Sequence, residues 1–237
     1  PAGRGKKLQA SPVKRLAAAQ GLPVLQFERA SAPEAVDAVR ALAPEVCVTA
    51  AYGQILTPAF LAVPPLGVLN VHGSLLPKYR GAAPVQWAVI KGEEETGITT
   101  MYTDAGVDTG DMLLQRKTAI GKDETAGELY ARLALLGAEV LSDSLDLLGK
   151  GIAPRVPQDH AQATRCPMLS KALARVDWTR SAKEIFNLVR GMHPWPLAHT
   201  ILAGTSVKLH RVKAVEGAGL PGMILSAGKE GLIVATG

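Results

Sequence analysis

Apolar positions along the chain switch repeatedly between two periods. Leu22 to Phe27 reads as a short strand, and Val46-Cys-Val-Thr-Ala50 is a continuous apolar run of the kind found in strands buried on both faces. Between them, Ser31-Ala-Pro-Glu34 has capping-box spacing, and Val36, Val39 and Ala43 follow at helical intervals. Val68-Leu-Asn-Val-His72 is a second strand, and Pro84 suits the first turn of a helix running to about Lys91. Thr96 to Thr103 and Met112 to Ile120 are strand-like and flank a turn-rich segment. Thr125-Ala-Gly-Glu128 is a second capping box, opening a long helix with Leu129, Leu133, Leu136 and Val140 on one face and an end near Gly151.

This alternation predicts an α/β fold: a mostly parallel, Rossmann-like sheet with helices on both faces. Such a fold usually opens on a strand, whereas this text opens in a loop, so a first βα unit is expected upstream of a catalytic domain at 1–150. Residues 151–177 carry Pro154, Pro157 and Pro167 and read as a linker or an extended crossing segment. A third capping box, Ser181-Ala-Lys-Glu184, opens a short helix ending near Met192. Beyond Pro194-Trp-Pro196 come four short strand candidates, Leu197–Leu202, Val207–Val212, Gly222–Leu225 and Leu232–Thr236. Residues 178–237 are therefore expected to form a small, OB-like β-barrel domain, cut before it closes.

Composition narrows the class. Hydrophobic residues make up 47% and charged residues 20% of 237, a globular balance that excludes a disordered or fibrous chain. No apolar run approaches the roughly 18 residues that span a bilayer, so a soluble protein is expected. Cys47 and Cys166 form no metal or redox spacing, which fits a reducing compartment such as the cytoplasm. The net charge is +5, and Arg4, Lys6, Lys7, Lys14 and Arg15 all precede the first acid, Glu28. The rest of the chain is balanced. A basic arm of this kind suits a polyanionic partner, or else is an ordinary solvated loop.

Two polar clusters stand out. Asn70 and His72 lie two residues apart on a strand, so both side chains leave one face. They sit at the strand's carboxyl end, where open α/β sheets bind ligands, and could together hold an oxyanion or simply bond the following loop. Asp104-Ala-Gly-Val-Asp-Thr-Gly-Asp111 lies between two strand-like runs. Asp108 is its best candidate for an acid placed over the sheet's end, the alternative being a turn acid; the calcium-loop pattern does not fit. An amide, an imidazole and a carboxylate suit acyl transfer between amines, in which donors hold the oxyanion and the acid favours the imidazolium, fixes a water or takes the attacking amine's proton.

Leu69-Asn-Val-His-Gly-Ser-Leu-Leu-Pro-Lys-Tyr-Arg-Gly81 and the 104–111 segment together resemble, in order and spacing, the two signatures of the 10-formyl-tetrahydrofolate-dependent formyltransferases. The resemblance implies catalytic roles for Asn70, His72 and Asp108. It implies a folate site lined by Ser74, Leu75, Leu76 and Pro77, with 10-formyl-tetrahydrofolate as co-substrate and no metal. Pro1-Ala-Gly-Arg-Gly-Lys-Lys-Leu8, Lys171-Ala-Leu-Ala-Arg-Val-Asp-Trp178, the Pro-Trp-Pro junction and the β-rich tail resemble the branch that formylates methionyl-tRNA. That likeness implies Arg4, Lys6 and Lys7 on initiator tRNA, and a monomer with no membrane partner, cytoplasmic or else organellar. A small-amine acceptor such as an amino sugar nucleotide, or a non-catalytic RNA-binding role, are the competing readings. Lys78 and Arg80 could meet the folate's glutamate tail, the RNA or only solvent. Trp87, Trp178 and His193 are read as packing or junction residues.

Overall fold

The computed structural model describes residues 9–229 and 231–237. Its first half runs α1 (Pro12–Ala19), α2 (Pro33–Ala41), β1 (Cys47–Ala50), α3 (Pro58–Leu61), β2 (Val68–His72), β3 (Arg80–Gly81) and α4 (Pro84–Lys91). Then come β4 (Glu95–Tyr102), β5 (Met112–Ala119), α5 (Ala126–Gly149), β6 (Arg165–Cys166), α6 (Ala182–Gly191), β7 (Ala198–Leu202), β8 (Thr205–Leu209), β9 (Ile224–Gly228) and β10 (Gly231–Val234).

The main sheet has the order β1-β2-β4-β5. Alternation on β2 divides the packing between its faces. Leu69 and Val71 turn toward α5, whose Gly137 lies against Val71 and whose Leu129, Leu133 and Val140 join Val85, Val89 and Ile98 in the largest core cluster. Val68 packs on the opposite side with Ala30, Leu56 and Phe60. Asn70 and His72 follow Val68 onto that second face.

The sheet is mixed rather than mostly parallel. β1 and β2 are parallel, but β4 runs antiparallel to β2, and β5 antiparallel to β4. The register pairs His72 with Thr99 and Leu69 with Tyr102, so the chain re-enters the sheet from the end it left. Between β4 and β5 lies a short loop with no helix, too short for the crossover of about a dozen residues that a parallel pair requires.

Local signals succeed where the side chain can reach the backbone. Thr125–Glu128 and Ser181–Glu184 both form complete capping boxes. Ser31 does not: Pro33 occupies the first turn of α2 and the cap moves to Ala32, which offers no side-chain bond. No strand forms at 22–27, and α1, capped by Ser11, lies where the apolar pattern predicts no helix.

In the C-terminal part, β7 pairs with β8 and β9 with β10 as two separate antiparallel ribbons. Among the described residues they do not form a closed barrel. Closure requires each ribbon to share an edge with the next, and residues 210–223 between them contribute no strand. The β7–β8 ribbon and α6 are nevertheless anchored: Ile185, Val189, Met192 and Ala198 pack with Ala83, Leu169, Ala174 and Val176.

Residues 151–177 are laid back along the first half of the chain. Val156 bridges Met112, and β6 pairs in parallel with β3, bringing Arg165 and Cys166 against Arg80 and Gly81.

Candidate active site

The site lies at the carboxyl end of β2, and each of its groups is held from behind. Asn70 is the register partner of Thr49 on β1. The Thr49 hydroxyl donates to Asn70 Oδ1 at 2.9 Å, which turns the amide nitrogen the other way, toward Asp108 Oδ1 at 3.4 Å. His72 Nε2 lies 2.9 Å from the carbonyl oxygen of Tyr79. A carbonyl only accepts, so Nε2 carries the hydrogen and Nδ1 is the nitrogen presented to Asp108 Oδ2, 3.6 Å away. The His72 and Asp108 side chains keep 6% and 15% of their surface exposed, so the three polar groups meet in a space with little water.

Asp108 is placed by its loop. Its backbone lies in the left-handed region at φ 53°, a conformation that Asp tolerates better than most residues. Gly81 N–H donates to its Oδ2 at 2.8 Å. That donation depends on glycine: Gly81 has φ 122°, and a Cβ there would stand 2.6 Å from the carbonyl oxygen of Cys166. Gly110 is equally confined, since a Cβ would collide with the Tyr102 carbonyl oxygen. Asp104, by contrast, spends its carboxylate on Thr109 and the Gly106 N–H and serves the turn.

The distances on the two sides of the cluster differ in kind. Bonds that orient the groups run from 2.8 to 2.9 Å. Contacts among the groups themselves are 3.4 and 3.6 Å, long for hydrogen bonds. Asn70 Nδ2 and His72 Nδ1 therefore both face the Asp108 carboxylate and are held by it only loosely. With the imidazole protonated, a ligand oxygen reaching both nitrogens would find two donors, with an acid beside them.

The 74–77 loop is largely turned inward. Ser74 is fully buried and donates to the Lys78 carbonyl, and Leu76 is buried with its N–H on Thr99. Leu75 and Pro77 keep partial exposure. Arg80 is not a solvated loop residue: it is buried and donates to Gln158 at 3.0 and 2.6 Å, and to His160. Arg4, Lys6 and Lys7 lie outside the described residues.

Thr49 and Gln158 are site residues that sequence reasoning misses. Thr49 leaves a signal, as the one hydroxyl in an otherwise apolar run. Gln158 leaves none, because its partners, the Arg80 guanidinium and the carbonyls of Asp108 and Gly110, lie far away in sequence.

Burial shifts two groups beside the site. The Tyr79 hydroxyl, desolvated and bonded to Glu93 at 2.5 Å, is held above its usual range. Burial, with the charge of Asp108 adding to it, pushes the Cys166 thiol up to about 11. The thiol keeps its proton below that value, so at pH 8 only about one molecule in a thousand carries the reactive thiolate. Cys166 is accordingly expected to resist iodoacetamide at pH 8 in the native protein and to label readily in denaturant, as read by peptide mass spectrometry.

A family model described as formyl transferase matches residues 1–145, and one described as formyl transferase, C-terminal domain, matches 168–237. The methionyl-tRNA formyltransferase of Acetivibrio thermocellus is 51% identical over 240 residues, spanning 100% of this chain and 77% of that protein. The chain belongs to the methionyl-tRNA formyltransferase family. Two matching solved structures of the wider formyltransferase fold are more distant in sequence. The N-formyltransferase from Helicobacter canadensis, in complex with folinic acid and dTDP-3-aminofucose, matches with a TM-score of 0.72 at 18% identity, covering 94% of this chain and 78% of its own. HypX from Aquifex aeolicus, in complex with tetrahydrofolic acid, matches with a TM-score of 0.68 at 22% identity, over 85% and 35%. At these identities they attest the shared formyltransferase fold.

Proposed function

We propose that this formyltransferase moves a formyl group from 10-formyl-tetrahydrofolate to the α-amino group of methionine carried on initiator tRNA. The observation that carries the reading is the placement of Asn70 Nδ2 and His72 Nδ1 against the two carboxylate oxygens of Asp108, at 3.4 and 3.6 Å. In the reaction the methionyl nitrogen forms a bond to the formyl carbon, whose oxygen takes the negative charge. Asn70 and His72 stabilise that oxyanion, each such donor being worth about 2.7–4 kcal/mol in comparable sites. Asp108 accepts the proton that the attacking amine loses. The oxyanion then re-forms the carbonyl as the bond from carbon to N10 breaks; its electron pair stays on N10, which takes the proton back from Asp108 as tetrahydrofolate leaves.

The folate lies along the 74–77 loop, touched by Leu75, Pro77 and backbone groups, while Ser74 and Leu76 support the loop from inside. Arg4, Lys6 and Lys7 take the acceptor arm of the tRNA, in contacts that weaken with salt. We read 1–150 as the catalytic domain and 151–177 as its linker. The two ribbons belong to an OB-like barrel domain at 178–237, and the protein works as a cytoplasmic monomer.

The deciding assay offers methionyl-tRNA and an amino sugar nucleotide separately, with formyl-labelled 10-formyl-tetrahydrofolate. Label on the methionyl nitrogen, formed much faster than on the sugar, is the expected result; faster transfer to the sugar rejects the acceptor assignment. A finer test addresses Thr49. Thr49→Val keeps the side chain's shape but frees the Asn70 amide to rotate. It is expected to lower kcat on the order of tenfold while shifting stability by only about 1 kcal/mol, from turnover and urea unfolding on one preparation.

A further inference from the structure

Asp108 is held at both ends. Its carboxylate accepts from Gly81 N–H, and its own carbonyl oxygen accepts from Gln158 Nε2 at 3.0 Å. The same amide nitrogen donates to the Gly110 carbonyl at 2.7 Å, so one side chain straddles the turn that carries the acid. Gln158 Oε1 in turn accepts from Arg80 Nε and one terminal nitrogen, at 3.0 and 2.6 Å. Arg80 immediately precedes Gly81. The bonds therefore close a ring: Asp108 carboxylate, Gly81 N–H, Arg80 guanidinium, Gln158 amide, Asp108 carbonyl.

Two features argue that the ring serves position rather than bulk stability. Asp108 adopts a left-handed backbone that a free loop would rarely populate, so something must hold it. The holding groups are also nearly dehydrated, Gln158 at 5% and Arg80 at 9% exposure. Buried polar groups that are fully partnered give a single arrangement, because every alternative leaves a donor or acceptor unmade. The amide has no spare capacity in this orientation: both Nε2 hydrogens go to carbonyls, and Oε1 takes two donors. Reversing the amide would set oxygen against oxygen and nitrogen against guanidinium.

We propose that Gln158, braced by Arg80, is a positioning residue for the reaction, fixing Asp108 against His72 and Asn70. It acts through the loop backbone and touches no substrate. The inference rests on the role given to Asp108 above.

The test is a kinetic double-mutant cycle on the full chain. Gln158→Glu keeps an acceptor opposite Arg80 but removes the donor to both carbonyls. Gln158→Met removes both, and if it fails to fold, Gln158→Glu alone carries the test. Either folded variant is expected to lose kcat on the order of tenfold to a hundredfold, with KM for both substrates held within about twofold. Placed on Asp108→Ala, the Gln158 substitution should lower the residual rate no further, since its effect passes through a carboxylate already gone. Wild-type kcat in Gln158→Glu, or an additional loss on top of Asp108→Ala, overturns the proposal. These failures differ from failure of the parent reading, which would show as a near-normal rate in Asp108→Ala itself.

Discussion

Asp108→Ala is expected to lower kcat for formyl transfer to methionyl-tRNA by about three orders of magnitude, inside the range of a lost general base. Three contributions meet in that carboxylate. On the proposed mechanism it removes the ammonium proton as the new bond forms; it also anchors the Gly81 N–H and sits 3.6 Å from His72 Nδ1. Ala is also a poor occupant of φ 53°, so part of the loss would come from loop disorder. Asp108→Asn separates the two effects. Asn tolerates the left-handed backbone and offers an oxygen to Gly81, yet it cannot take a proton. The Asp108→Asn variant should therefore melt near wild type while turning over nearly as slowly as the Asp108→Ala variant. Single-turnover quench assays at saturating folate and tRNA measure the chemical step directly. Turnover of Asp108→Asn within about fivefold of wild type would remove the acid from the mechanism.

Gly81→Ala is expected to cost about 2–5 kcal/mol of stability, from backbone strain and overpacking together. At φ 122° a side chain is strained whatever the space, and the added methyl would meet the Cys166 carbonyl oxygen at 2.6 Å. That oxygen is backbone, fixed by the pairing of β3 with β6, so it cannot rotate away. Relief must come from separating the two strands, which moves the N–H that holds Asp108. Urea unfolding should show a lower midpoint with a similar slope, and the folded fraction should remain catalytically impaired at low temperature. Full specific activity in the folded fraction would mean that the Gly81 donor is dispensable.

What the text discloses follows from how far each signal reaches. Asn70 and His72 are legible because a strand's period of two needs no partner to be recognised, and because strand ends in open sheets gather ligands. The capping boxes at Thr125 and Ser181 are legible because donor and acceptor lie three residues apart. Ser31 carries the same spacing and fails, since Pro33 claims the first turn. The direction of β4 is not legible, because strand polarity depends on the connection's path in space, which hydrophobic pattern does not encode. The 22–27 run has strand-like residues but finds no ladder among the described residues. In the site, the Gly81 N–H and the Tyr79 carbonyl leave no side-chain trace, and Gln158 reaches across 50 residues to the Asp108 carbonyl.

The pairing of β3 with β6 has a consequence for modularity. Composition draws a boundary near Gly151, yet Val156, Gln158, Arg165 and Cys166 lie against the turn and the loop that frame the reaction. A chain severed at that boundary would retain every reacting side chain and lose what keeps them in register. Swapping the C-terminal part between relatives should therefore succeed only when the splice falls after Cys166, so that the crossing segment travels with the sheet it fastens.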